Sequence, residues 1–107
     1  MSHRCKRCEP LPAEVLQAAD VLGRRWALAL LYASHEGAVR FNEFRQALRE
    51  VPPRTLAQRL ADLEDAGLFE RRIVDARPPH VEYVLTPLGR RLKTVVDALR
   101  RWPRQPA

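Results

Sequence analysis

Lysine is nearly absent from this chain: among 19 basic residues, only Lys6 and Lys93 are lysines. The positive charge is therefore almost all arginine, whose planar fork suits bidentate contacts to phosphate and guanine. Long apolar runs are also missing. No stretch approaches the ~20 residues that a membrane-spanning helix needs. The opening MSHRCKRCEPLP lacks the apolar segment of a secretory signal. Both absences argue against membrane and secreted classes and lead to the expectation of a cytoplasmic protein. Cysteine is limited to Cys5 and Cys8. In the cytoplasm such a pair is reduced, metal-bound or redox-active rather than a structural disulfide. Catalytic signatures are lacking too. There is no glycine-rich phosphate loop and no HExxH. Ser34, His35 and Glu36 are consecutive, so their side chains diverge and form no relay. A non-enzyme without a cofactor is expected.

What is present fits one domain of 107 residues. A core this small benefits from a dimer interface. The formal charge is +6 and the pI about 10.3. A domain pI above roughly 9 marks nucleic-acid binders, although basic charge also serves solubility.

Residues 1–12 carry charge, the CxxC pair and two prolines without periodicity, and read as a flexible arm. From Ala13, the apolar residues Val15, Ala18, Ala19 and Leu22 mark one face of a helix that Gly23 ends. A second helix is predicted from about Arg24 to Ser34. It is apolar on most sides, which implies burial on most sides. Val39 and Arg40 leave room for a short strand. Phe41, Phe44, Ala47 and Leu48 mark a third helix. A fourth starts at Pro53, buries Leu56, Leu60 and Leu63, and stops at Gly67. Strands are predicted at Phe69–Val74 and Val81–Thr86. The link from Asp75 to His80 is too long for a tight turn. Thr86 then caps a last helix with Pro87 at its first position. Its stripe Leu88, Leu92, Val95, Val96, Leu99 and Trp102 runs to residue 102.

The fourth helix divides by face. Arg54, Thr55, Gln58, Arg59 and Asp62 lie opposite its leucines. Arginine reads guanine, glutamine reads adenine, and the threonine methyl suits the thymine methyl. The N-terminal part of a recognition helix lies nearest the bases, which favours Arg54, Thr55 and Gln58. Arg59 has two readings of equal standing: a DNA contact, or an ion pair with Asp62 on the same face. The bland reading of the whole face is ordinary solvated helix. An arginine-rich hairpin follows at once, and the order helix then hairpin fits a winged helix-turn-helix. Arg71 and Arg72 alternate faces, so only one of them can face DNA. Arg77 in the hairpin link is the candidate for a backbone or minor-groove contact. Arg40 and Arg45 at the third helix are phosphate-clamp candidates, and His80 is either a weak phosphate contact or a loop histidine without a role. Arg90, Arg91 and Lys93 read as a solvated face.

The segments VLGRRW, RFNEFRQAL, PRTLAQRLADLEDAGLFERR, PPHVEY and LTPLGRRL resemble the HxlR-type winged helix-turn-helix regulators, a branch of the MarR-like group of bacteria. The resemblance covers about residues 13–102, with an arm at 1–12 and a tail at 103–107. It implies a mainly α fold of five helices with a β-wing, and a homodimer built by the first and last helices. It further implies a transcription factor, commonly a repressor, with two recognition helices on a pseudo-palindrome in double-stranded DNA. Arg54 and Arg59 match the family's "S-P-R-x-L" and "L-x-x-R-L", Pro78, Pro79 and Tyr83 its wing, and Trp26 its packing tryptophan. The dimer contacts implied are Val15, Leu92, Val95, Val96, Leu99 and Trp102; the alternative is that the stripe of the last helix packs back onto its own chain. Pro52 replaces the usual serine, so an N-cap worth on the order of 1 kcal/mol is lost. Many members carry a cysteine just before the first helix. Here that place is Leu11–Ala13, and the cysteines lie earlier.

Cys5 and Cys8 flank Lys6 and Arg7, which favour the reactive thiolate. Three readings stand: an oxidant sensor, two incidental thiols, or a zinc site completed across a dimer. Zinc wants four ligands, and one chain offers only Cys5, Cys8 and His3, so no metal site is expected within a chain. Two alternatives to a specific regulator remain: a winged-helix module for an acidic protein partner, and a non-specific DNA-coating protein.

Overall fold

In the computed structural model the described residues are 9–102. The arm through Cys8, with its CxxC pair, and the tail from 103 lie outside them. The order is α1 (Ala13–Leu22), α2 (Ala27–His35), α3 (Phe41–Ala47), α4 (Pro53–Asp65), β1 (Phe69–Val74), β2 (His80–Leu85), α5 (Pro87–Arg90) and α6 (Lys93–Arg101). This is the expected mainly α fold with a hairpin. The predicted fifth helix is in two segments. At the joint, Arg91 N–H bonds the Leu88 carbonyl at 3.2 Å and Leu92 N–H the Gly89 carbonyl at 3.1 Å. These i→i+3 bonds tighten the turn between α5 and α6.

The core is built by α2, α3, α4, the root of the hairpin and one residue of α6. Leu30, Leu31, Phe44, Leu56, Leu60, Leu63, Phe69 and Val96 are essentially sealed from solvent. Each fully buried leucine contributes about 1.5–3 kcal/mol relative to exposure. The Phe69 ring lies 6.0 Å from that of Phe44 and 6.4 Å from that of Tyr83. It thus fixes the hairpin root to α3.

Helix α4 ends in two reciprocal backbone bonds. Leu68 N–H reaches the Leu63 carbonyl at 3.0 Å and Gly67 N–H the Glu64 carbonyl at 2.9 Å. That motif needs a left-handed residue, and Gly67 supplies it at φ 82°. The hairpin therefore leaves α4 in a fixed direction. Its strands pair antiparallel from Phe69 opposite Leu85 to Val74 opposite His80.

Three further expectations need correction. The second strand is His80–Leu85 rather than Val81–Thr86, so His80 pairs with Val74 in the sheet and does not lie in the link. The second helix begins at Ala27, not Arg24, because Trp26 sits at φ 77°, outside helical space. No strand forms at Val39–Arg40 among the described residues. A single bond from Tyr83 N–H to the Val39 carbonyl, at 2.7 Å, ties that segment to the hairpin. No described helix is long and apolar enough to cross a membrane.

Candidate nucleic-acid interface

Helix α4 turns Leu56, Leu60 and Leu63 into the core and leaves Arg54 and Gln58 exposed. Its first turn has no side-chain cap, in keeping with Pro52 where a serine would serve. Thr55 is half-buried. It lines a hollow of about 360 Å³ with Arg25, Trp26, Glu50, Pro52 and Arg59.

Asp62 is the hub of the polar face, with its side chain only 13% exposed. Its Oδ1 accepts from Gln58 Nε2 at 2.9 Å, and its Oδ2 accepts from Arg59 Nη1 at 2.9 Å. Arg24 Nη1 approaches the same Oδ2 at 3.1 Å, and Arg24 Nη2 also lies 3.5 Å from Asp20 of α1. Burial pushes the Asp62 carboxyl up. Hydrogen bonds from Gln58, Arg24 and Arg59 and the Arg24 charge outweigh it and hold the group below its ordinary value. Asp62 in turn raises the Arg24 guanidinium through a hydrogen bond and its charge.

Arg59 makes the ion pair with Asp62 that is one of its two readings. Its Nε also donates to the Arg25 carbonyl at 2.9 Å. Arg59 thus holds the elbow between α1 and α2, just where Trp26 takes its left-handed backbone. A bulky residue persists there only when its surroundings over-determine it. The Arg59 bond, the packing of Trp26 on the core, and the Arg25 guanidinium 4.9 Å from the Trp26 ring centroid do so.

On the hairpin, Arg72 pairs with Glu70 at 3.0 Å. Arg71 lies on the other face, opposite Tyr83. Arg77 is exposed in the connection between the strands. His80 is not a free contact: its half-buried ring meets Glu82 at 3.1 Å. Arg40 and Arg45 are exposed on or beside α3. Glu43 Oε1 accepts from the backbone N–H groups of Val39 and Arg40 at 2.8 and 2.9 Å. Those two bonds hold the Glu43 carboxyl below its ordinary value. Arg45 shares a polar hollow beside the start of α4 with Asn42, Gln46, Arg49 and Pro53. Arg24, Arg25 and Arg49 were not among the expected site residues. The pair before Trp26, and the i, i+4 spacing of Arg49 from Arg45, are the signals that mark them.

Of the expected dimer residues, Val15 (47%), Val95 (41%) and Trp102 (76%) are exposed. Leu92 and Leu99 are half-buried. Val96 is a correction: at 1% exposure it belongs to its own chain's core. Leu16 and Leu88 add exposed apolar surface on α1 and α5. Among the described residues, no group of three or more His, Cys, Asp or Glu could hold a metal. The zinc and redox readings of Cys5 and Cys8 fall outside those residues.

A core-anchored helix with an arginine–glutamine face, followed by an arginine-bearing hairpin, defines a winged helix-turn-helix. The chain belongs to the HxlR-like helix-turn-helix family, which it matches over residues 21–106. It is 39% identical over 83 residues to YybR, an uncharacterized HTH-type transcriptional regulator of Bacillus subtilis (strain 168). That match spans 78% of this chain and 66% of YybR, just under two thirds of the relative's length. The redox regulator HypR in its oxidized form superposes with a TM-score of 0.79 at 35% identity, covering 89% of this chain and 98% of that one. Reduced YodB, a transcriptional regulator from B. subtilis, superposes with a TM-score of 0.77 at 28% identity, covering 87% and 91%.

Proposed function

We propose that this chain is a cytoplasmic, homodimeric regulator that reads double-stranded DNA. The observation that carries the reading is the division of α4: three leucines in the core, with Arg54 and Gln58 exposed beside an arginine-bearing hairpin. Helix α4 enters the major groove, and Arg54 and Gln58 meet base edges. Arg40, Arg45 and Arg77 meet phosphates. Arg59 holds the recognition helix in place, and Thr55 lies at the rim of the contact. Exposed apolar surface on α1, α5 and α6 joins two copies, so that paired α4 helices read a pseudo-palindrome, typically to repress a nearby gene. The test is selection from random-sequence DNA, followed by anisotropy on enriched and shuffled duplexes. An enriched sequence bound ~10³-fold over the shuffled duplex supports the reading. Binding without enrichment leaves a non-specific coat, and no binding leaves a protein-interaction module. Arg54→Ala should cost preference, whereas Arg77→Ala should weaken both duplexes and flatten the salt dependence by about one unit of slope.

Redox control is the second part of the reading. HypR, to which the chain is similar, is a redox regulator with an oxidized form. The Cys5–Cys8 spacing beside Lys6 and Arg7 favours reactive thiolates. A two-electron oxidant of the peroxide or diazene class takes up the two thiol protons and two electrons and joins the sulfurs as a disulfide, within a chain or between two, which alters the dimer's fit to DNA. Unchanged DNA affinity after diamide, with both thiols shown to be oxidised, overturns this part.

A further inference from the structure

Resting on the DNA-reading assignment, we infer that Asp62 is a specificity-setting positioning residue: it fixes the amide polarity of Gln58 so that the side chain presents the donor–acceptor pair that fits adenine. A glutamine amide has two N–H donors and one carbonyl acceptor. On an exposed helix face its two orientations ordinarily differ little. Here one N–H of Gln58 is bound to Asp62 Oδ1 at 2.9 Å. The flipped amide would set a carbonyl oxygen against a carboxylate, so only one orientation is stable. The second N–H and Oε1 are left for a partner. Adenine presents the complement in the major groove, N7 as acceptor and the N6 amino group as donor.

The carboxylate is itself held still. Arg59, at 2.9 Å, and Arg24, at 3.1 Å, both meet Oδ2. Oδ1 therefore keeps its aim at Gln58. Arg24 sits in the elbow after α1 and Arg59 on α4, so the orientation is set by contacts from outside the recognition helix as well as within it. Asp62 itself touches no base. As an anion beside DNA it opposes binding, which separates its role from that of a phosphate contact.

The test uses the reduced full chain and duplexes enriched by the wild type from a random-sequence library. The wild type should require adenine at one position in each half-site, and Gln58→Ala should relax that position alone. Asp62→Asn should relax the same position about 10-fold. It should bind shuffled duplex as tightly as the wild type or more tightly, and should add nothing in the Gln58→Ala background. Arg24→Ala, at the more exposed end of the network, should relax the position about threefold and serves if Asp62→Asn does not fold. A wild type that enriches no sequence overturns the DNA reading and this inference together. Enrichment with full adenine preference retained in Asp62→Asn, or in Arg24→Ala if only that variant folds, overturns the inference alone. So does an equal loss of affinity on enriched and shuffled duplexes.

Discussion

The Thr86 hydroxyl donates to the Gly67 carbonyl at 2.6 Å. It also accepts from Gly89 N–H at 3.0 Å, and Thr86 N–H bonds the Leu68 carbonyl at 3.0 Å. One residue therefore caps α5 and clasps both feet of the hairpin, since β1 follows Gly67 and β2 precedes Thr86. Thr86→Ala should lower stability by about 1–2 kcal/mol, read from urea melts. Thr86→Ser, which keeps the hydroxyl, should recover most of it. A hydroxyl of no consequence would leave the alanine variant at the wild-type midpoint.

Gly89 faces a tighter constraint than any cap imposes. A Cβ there would run into the Leu68 carbonyl oxygen and come within 3.0 Å of a Leu85 methyl. Backbone cannot yield as a side-chain end can. Gly89→Ala should therefore cost roughly 1–3 kcal/mol, the range of an overpacked core, and should disturb the hairpin and α5 together. Thermal melts and amide exchange on β2 would show it. An alanine variant with the wild-type melting temperature would mean that the two elements slide apart freely.

What was legible in the sequence followed the range of each signal. Helix α4 was readable at both ends because Pro53, the leucine spacing and Gly67 are local marks. The hairpin was readable to within a residue for the same reason. Trp26 was not, because its left-handed backbone contradicts local preference and is held by Arg59, 34 residues along the chain from the Arg25 carbonyl it grips. The break after Arg90 was hidden by an apolar stripe that reads as one continuous helix. That stripe also offers Val96 to a dimer face, whereas the side chain is packed in its own chain's core. On the polar face of α4, the residue types were evident but their partners were not. Asp62 looked like one half of a helical ion pair, and only the folded chain brings Arg24 to it.

The Asp62 network makes a pH prediction of definite sign. Its carboxyl lies below the ordinary value of 3.8 in the folded chain. Its contribution to stability is therefore complete above that value and is lost as pH falls through the lower, folded one. An asparagine cannot titrate. The stability gap between wild type and Asp62→Asn should thus be constant near neutrality and shrink below pH 3.8. Chemical melts of both proteins at several pH values measure it. A gap that stays constant through the acid range would mean that the carboxylate is not held by its partners.

Helix α1 has no fully buried residue: Val21 and Leu22 pack half-buried against the core, while Val15 and Leu16 stand exposed. Ten residues of isolated helix are marginal in water. Exposed leucine and valine of this kind mark surfaces that meet another chain. If α1 and α6 join two copies, Leu16→Glu and Val95→Glu place charge where apolar surface should close. Sedimentation should then show the wild type at twice the chain mass and the double variant as monomer. The variant should keep the α4–hairpin core, because neither residue belongs to it. Its affinity for an enriched palindromic duplex should fall by 10²-fold or more, since the second half-site is no longer tethered, while binding to an isolated half-site should be unchanged. A double variant that remains dimeric would move the interface elsewhere and leave the exposure of α1 without that explanation.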